Sequence, residues 1–418
     1  MSGADARGPR LSVVICAYTE DRWADILAAV DSVRAQSLAA WETLLVVDHN
    51  PLLRGRLAAE FAGSGARATG GARPDGVRAR VRVLANAGPR GLSAGRNTGV
   101  AASTGEIVAF LDDDAVAERD WLRHLAAAYA DPLVMAVGGR TEPVWESGRR
   151  PVWFPEEFDW TVGCMYKGHP TGLVRVRNVL GGNASFRRTA FDAVGGFATG
   201  IGRDGDGDGD RLPLGCEETE LCIRLRRARP DAVLLIDDRA VIHHRVPASR
   251  ARFAYLRRRA YAEGLSKALV ASSVGARDGL STERRYATRV LPAAVARGLR
   301  DFALARPGGA GRAAAVVTGV AAAAAGYALG GLRARRAGAG FAVGAGASLA
   351  ADTGTREGAS RAERTTVPEN VPSAEGTCPA RNGTGADVGG GATVPENRPS
   401  AEGTHPARSG TGADVGAG

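Results

Sequence analysis

Three adjacent carboxylates, Asp112, Asp113 and Asp114, close the run "EIVAFLDDDAV" (Glu106–Val116). The apolar, partly β-branched residues before them suit a buried strand. Neighbouring carboxylates repel one another and have poor strand propensity, so the chain leaves the sheet there. A D-x-D at a strand end offers one carboxylate to a hard divalent cation, Mg2+ or Mn2+, and another to a nearby hydroxyl. Alone, such a cluster reads equally well as a polar stop.

A second acidic group lies in "GCEETELCIR", where Glu217, Glu218 and Glu220 open a helix whose dipole favours carboxylates. One of them could serve as a general base, although acids at helix starts are routine and Glu220–Arg224 is an ordinary i,i+4 pair. "VIHHRVP" carries two of the six histidines, and a neutral imidazole can ligate Mn2+. The alternating Asp204, Asp206, Asp208 and Asp210 invite a calcium-loop reading that fails in both registers. Counting from Asp204 puts Gly215 where Glu is required, and counting from Asp206 puts Arg211 where Gly is required. A flexible acidic loop is the better account.

These groups need a frame. "LSVVICAY", "WETLLVVDHN", "RVRVLANAG" and "EIVAFLDDD" read as buried strands; "WADILAAVDSVRAQS" and "GLSAGRNTGVAAST" between them read as helices. Strands buried on both faces and alternating with helices predict an α/β domain with a largely parallel sheet, whose ligands bind beyond the carboxyl ends of the strands. Tyr18, Asp48 and the aspartate triplet all fall at such ends.

The net charge of +9 on 418 residues and the pI near 9.8 come from arginine, which suits anionic lipid or phosphorylated substrates. No zinc-finger spacing or aromatic-basic RNA-binding motif is present, so nucleic acid is not an expected partner. Five cysteines without a C-x-x-C pair fit a reducing cytoplasm, and "MSGADARGPR" lacks the apolar core of a signal peptide.

"VVICAYTE", "LLVVDHN", "NAGPRGLSAGRNTGV", "VAFLDDDA", "GGNASFRRTAFDAVGGF", "GCEETELCIRLR" and "VIHHRVP" occur in an order and spacing that resemble a family 2 glycosyltransferase of the GT-A fold. The resemblance covers the chain to about residue 250. It implies that Ala17, Tyr18, Glu20 and Asp48 hold the base and ribose of a nucleotide sugar, with Arg96 near the nucleotide. It implies further that Asp112 faces the ribose, that Asp114 coordinates Mn2+ or Mg2+ on the diphosphate, and that Asp113 points elsewhere. His244, which fits the spacing better than His243, would reach the metal. Glu218 takes the base position with Glu217 beside it, although both are Glu where the family usually has Glu-Asp. Gly182 and Asn183 would approach the donor sugar and acceptor. A single base predicts inversion. "GCEETELCIR" and "YAEGLSK" resemble the branch acting on dolichyl- or polyprenyl-linked sugars, and the Q-x-x-R-W of processive synthases is absent.

The expected organisation is a disordered start (1–10), a GT-A domain (11–248), a basic, helical, membrane-associated region (249–340) and a disordered tail (341–418). In that tail 366–389 recurs as 393–416. Residues 313–332 are uncharged and long enough to span a bilayer. About two-thirds of them are Ala or Gly, which makes a buried or interfacial helix a competing reading. The expected activity is transfer of a sugar from a UDP-sugar to a lipid-linked (polyprenyl-phosphate) or polysaccharide acceptor in cell-envelope glycan synthesis. Its expected place is the cytoplasmic face of the membrane. The rival readings are a sugar-phosphate nucleotidyltransferase, which "CAYTEDRWAD" does not suit because it lacks a glycine-rich loop, and a non-catalytic membrane-surface scaffold.

Overall fold

The computed structural model describes residues 8–62, 80–199, 215–274 and 285–336. The Asp–Gly repeat at 204–210, the duplicated tail and most of the first ten residues lie outside these.

The first half is a run of alternating strands and helices: β1 (Leu11–Ala17), α1 (Trp23–Arg34), β2 (Glu42–Val47), α2 (Pro51–Phe61), β3 (Val81–Ala85), α3 (Leu92–Ala102) and β4 (Ile107–Asp112). All six residues of β2 are buried, as a strand covered by helices on both faces requires. Alternation along the strands divides the apolar side chains between two cores. Val13, Ile15, Leu45, Ala109 and Leu111 pack against Ile26 and Val30 of α1 and Leu53 and Leu57 of α2. Val14, Leu44, Val46, Val108 and Phe110 face the other way, where Phe110 meets Phe186 and Phe197 edge-on. Local signals place the helices. Asn50 accepts from Leu53 N–H at 3.0 Å and Pro51 follows it, so "DHNP" starts α2.

The chain continues through β5 (Ala115–Ala117), α4 (Trp121–Ala128), β6 (Val134–Trp145), β7 (Leu173–Arg175), β8 (Asn183–Arg187), α5 (Arg188–Val194), α6 (Glu217–Ala228) and β9 (Val233–Val246). The sheet order is β3-β2-β1-β4-β8-β6-β9-β5, with β7 on β9. β3, β2, β1 and β4 run parallel, β8 runs antiparallel to β4 and β6, and β6 and β9 are parallel again. This is the α/β, GT-A architecture expected from the sequence. Because β1, β2 and β4 are parallel and in register (Ala17 opposite Val47, Cys16 opposite Asp112), residues 18, 48 and 112–114 leave the sheet at one edge.

Three helices follow: α7 (Phe253–Val274), α8 (Leu291–Ala303) and α9 (Gly309–Arg336). They share a third core with the ends of β6 and β9, built from Trp145, Phe154, Phe158, Val246, Leu256, Leu291 and Val316. α9 is one continuous helix that extends beyond the uncharged stretch 313–332 at both ends. Among the described residues it alone is long and apolar enough to cross a membrane.

Candidate active site

The aspartate triplet is a tight reversal. β4 ends at Asp112, Asp113 and Asp114 turn the chain, and β5 begins at Ala115. β5 pairs with β9 so that Ala115 lies opposite His244. That register brings His244 Nε2 to 3.1 Å from Asp114 Oδ1 with both side chains buried, while His243 points outward to Glu118 at 3.1 Å. Potential ligand atoms of Asp112, Asp114 and His244 all lie within 4.8 Å of one another. The second ring nitrogen of His244, Nδ1, is buried and has no hydrogen-bond partner among the described residues. Carboxylates suit Mg2+ and Mn2+, and an imidazole tilts the set toward the transition ion. These residues fit such a cation.

Two arginines not anticipated from the sequence surround the cluster. Arg22 lies 2.5 Å from Asp113 and 3.1 Å from Asp114, and Arg250 lies 3.8 Å from Asp114. Burial pushes the Asp114 carboxyl up, but His244, Arg22 and Arg250 together hold it well below the ordinary carboxylate range. Asp113 is pushed the other way, upward, by burial and by Asp114 and Asp112, against the pull of Arg22. It is a buried anchor for Arg22, whose Nη1 it shares with Asp114, and it is not among the three potential ligands. Tyr18 stacks on the same guanidinium, 5.3 Å from Arg22 Cζ to the ring centroid.

The base-bearing helix meets this cluster through Arg96. The Arg96 Nη1 donates to Glu217 Oε1 at 2.8 Å, and its Nη2 lies 3.7 Å from Asp112. Glu217 is thereby engaged, whereas Glu218 is half-buried and lines the cavity. Burial pushes the Glu218 carboxyl up to about 8; Glu217 adds to this and Arg96 opposes it. Glu220 faces the interior in a bidentate pair with Arg224, at 2.6 and 2.8 Å. The turn into this helix uses Cys216 in the left-handed region, φ 76°, unusual for a residue with a side chain. α7 braces it: Gly215 N–H donates to Ser266 Oγ at 3.0 Å, and Cys216 Sγ donates to Glu263 at 3.3 Å.

The glycine pair fits closely against these groups. A Cβ at Gly181 would lie 3.0 Å from Arg96 Nη1, and one at Gly182 would collide with Asp112 Oδ2. Gly182→Ala is therefore expected to displace Asp112 and weaken Mn2+ binding about tenfold or more, as a calorimetric titration would read. Asn183 requires a correction. Its side chain is fully buried, accepting from Trp121 Nε1 at 2.8 Å and donating to the Arg140 and Ala240 carbonyls at 2.9 and 3.0 Å. As the first residue of β8 it points into the core, so it ties α4 to the sheet rather than touching sugar.

Ala17, Tyr18 and Asp48 border the same cavity, as do Arg96, Asp112, Asp114 and Gly182. Asp48 is buried and already accepts from Asn86 Nδ2 at 2.6 Å and from Gly91 N–H at 2.9 Å, so it also fixes the "NAGPRG" loop. Glu20 is absent from the cavity wall; its carboxylate lies 3.4 Å from Asn50 Nδ2. The cavity encloses about 1380 Å³ and continues past Glu218 to Tyr255, Lys267, Tyr286 and Tyr327 on the C-terminal helices. Arg250 follows the recognised "VIHHRVP" by three residues and Arg22 precedes the first helix. A position two or three residues beyond a recognised motif, "VVICAYTE" for Arg22 and "VIHHRVP" for Arg250, is the sequence signal that could have pointed to them.

The family model described as Glycosyl transferase family 2 matches residues 12–195. The chain is 35% identical over 259 residues to a glucosyl-dolichyl phosphate glucuronosyltransferase of Haloferax volcanii, covering 62% of this chain and 76% of that protein. It is 30% identical over 183 residues to the succinoglycan biosynthesis protein ExoM of Rhizobium meliloti, covering 41% and 50%. Among solved structures it resembles the mannosyltransferase PcManGT from Pyrobaculum calidifontis, solved with GDP-Man and Mn2+, at 18% identity, 78% and 88% coverage and a TM-score of 0.47.

Proposed function

The chain belongs to glycosyl transferase family 2 and is a glycosyltransferase; from that premise we propose that it moves a sugar from a UDP-sugar to a sugar carried on a polyprenyl phosphate, inverting the anomeric carbon. The observation that carries this reading is a single cavity lined by Asp112 and Asp114, with His244 buried against Asp114, and by a further half-buried carboxylate, Glu218. The acceptor class follows the Haloferax volcanii relative, which is named for a glucosyl-dolichyl phosphate. In this reading residues 11–248 form the GT-A domain and 249–340 the basic helical region, working at the cytoplasmic membrane face in cell-envelope glycan synthesis.

Asp112, Asp114 and His244 would hold Mn2+ or Mg2+, which when bound neutralises charge building on the departing diphosphate. Tyr18 and Asp48 border the base and ribose, with Asp112 toward the ribose. Arg22 and Arg250, both beside Asp114, add fixed positive charge where the diphosphate develops negative charge. Glu218 accepts the proton of the acceptor hydroxyl as its oxygen bonds to the anomeric carbon. The bond from that carbon to the diphosphate oxygen breaks, and its electron pair leaves with the nucleoside diphosphate. A single displacement by an oxygen opposite the leaving group inverts the centre. Glu217 stays with Arg96 and keeps that guanidinium beside Asp112.

Purified protein given a panel of nucleotide sugars and Mn2+ is expected to release nucleoside diphosphate from one of them, faster when a polyprenyl-phosphate-linked sugar is added. Pyrophosphate release would instead indicate a nucleotidyltransferase. Neither turnover nor donor binding by folded protein would indicate a scaffold.

A further inference from the structure

Large apolar side chains on the surface are concentrated in one region. Of the fourteen exposed among the described residues, seven lie on α8, α9 or the link between them: Leu299, Phe302, Leu304, Val317, Val320, Leu329 and Leu332. On α8 the stripe Leu291, Val295, Leu299, Phe302 is covered at its start and bare at its end. On α9, Val317, Val320, Ala324, Ala328 and Leu332 recur at three- and four-residue steps along the exposed side, and no charge interrupts them between Arg312 and Arg333. A helix face turned to water normally carries polar residues. Arg289, Arg300 and Arg333 beside this surface are exposed and have no carboxylate partner among the described residues.

The opposite face of α9 excludes a spanning geometry. A Cβ at Gly264 would collide with the Ala323 carbonyl and one at Gly326 with the Tyr261 carbonyl, while one at Gly330 would lie 2.7 Å from Ala268. α7 and α9 thus run side by side, backbone against backbone, with numbering increasing in the same direction. At that level α7 carries Arg257, Arg258 and the partly buried Arg259–Glu263–Lys267 chain, linked at 3.0 and 3.4 Å. A bilayer-spanning α9 would carry these charges into hydrocarbon, a costly burial.

We propose that α8 and α9 lie flat in the headgroup layer of an anionic bilayer, their bare apolar faces inserted and their arginines on lipid phosphates, with neither helix spanning the membrane. The cavity opens at this surface, because Val320 and Ala324 are both exposed and part of its wall. What passes that mouth, a lipid-linked acceptor, rests on the function proposed above; the orientation at the membrane does not.

The full chain is expected to float with phosphatidylglycerol-containing vesicles and far less with pure phosphatidylcholine. The triple variant Phe302→Glu, Val317→Glu, Leu332→Glu should lose vesicle binding at least tenfold while keeping its melting temperature and its donor binding. In inside-out membrane vesicles from expressing cells, a C-terminal tag should be digested by added protease without detergent. Protection of the tag until detergent is added would show that α9 spans and would overturn the proposal. So would vesicle binding unchanged in the folded triple variant, or loss of a dimer instead of loss of lipid binding, which would make the surface a contact between copies. None of these measurements depends on sugar transfer, so an inactive protein that binds vesicles would sink the function and spare the membrane geometry.

Discussion

Asp114→Asn is expected to lower sugar transfer about a thousandfold and to remove its stimulation by Mn2+, with a lowered melting temperature because Arg22 and Arg250 lose their shared buried anion. The size follows from a metal contribution of several kcal/mol to stabilising charge on the leaving group, at about 1.4 kcal/mol per tenfold in rate. The residue is where such an effect should concentrate, because one carboxylate meets His244 at 3.1 Å, Arg22 at 3.1 Å and Arg250 at 3.8 Å. The amide keeps the shape and loses the charge. The same surroundings hold the Asp114 carboxyl below the usual range, so it stays ionised throughout any workable pH and supplies no pH dependence itself. The measurement is initial rate against Mn2+ concentration for both proteins. An Asp114→Asn protein with undiminished Mn2+ activation would remove this residue from the metal site.

Glu218→Gln carries the second large effect. General-base catalysis contributes about 10²–10⁴-fold, and a glutamine in this position cannot accept the acceptor's proton. Donor binding should be spared, since Arg96 holds its geometry through Glu217 rather than Glu218. The pH profile gives a second, independent readout. Burial, reinforced by Glu217, puts the Glu218 carboxyl up at about 8, and only its ionised form can accept the proton. The value of kcat/KM should therefore climb about tenfold per pH unit below roughly 8 and level off above it. The residual activity of Glu218→Gln should lack that slope. Equal loss in Glu217→Gln with an unchanged pH profile in Glu218→Gln would transfer the base to the neighbouring residue.

What the sequence disclosed and what it withheld divide along physical lines. Strand runs and their polar ends are local features, so the α/β architecture and the gathering of residues 18, 48 and 112–114 at one sheet edge were legible in advance. The family resemblance added roles that local pattern lacks. Contacts that depend on long-range register were not readable. Arg22 meets Asp113 across 91 positions, and Arg96 meets Glu217 across 121. Asn183 was misassigned for a related reason. "GGN" looks like one loop, yet strand β8 starts at the asparagine, and alternation in that strand turns the side chain inward, under Trp121. The glycine before it, expected to lie near sugar and acceptor, is pressed against Asp112. Twenty uncharged residues in the C-terminal region could be counted but not oriented, because what excludes a span is the charge on a neighbouring helix.

The grip of α7 on the Cys216 turn bears on how such an enzyme could be rebuilt or inherited. This one helix holds the Glu217–Glu218 turn through Ser266 and Glu263, and it packs against the glycines Gly326 and Gly330 of α9. The Glu217–Glu218 turn and the C-terminal helices are therefore not interchangeable modules. A chimera joined near residue 250 would keep all seven motifs from "VVICAYTE" to "VIHHRVP" and still leave Glu217 and Glu218 on a turn whose brace, in "YAEGLSK", comes from the other parent. Swaps between relatives would succeed only when residues 215–218 and α7 travel together.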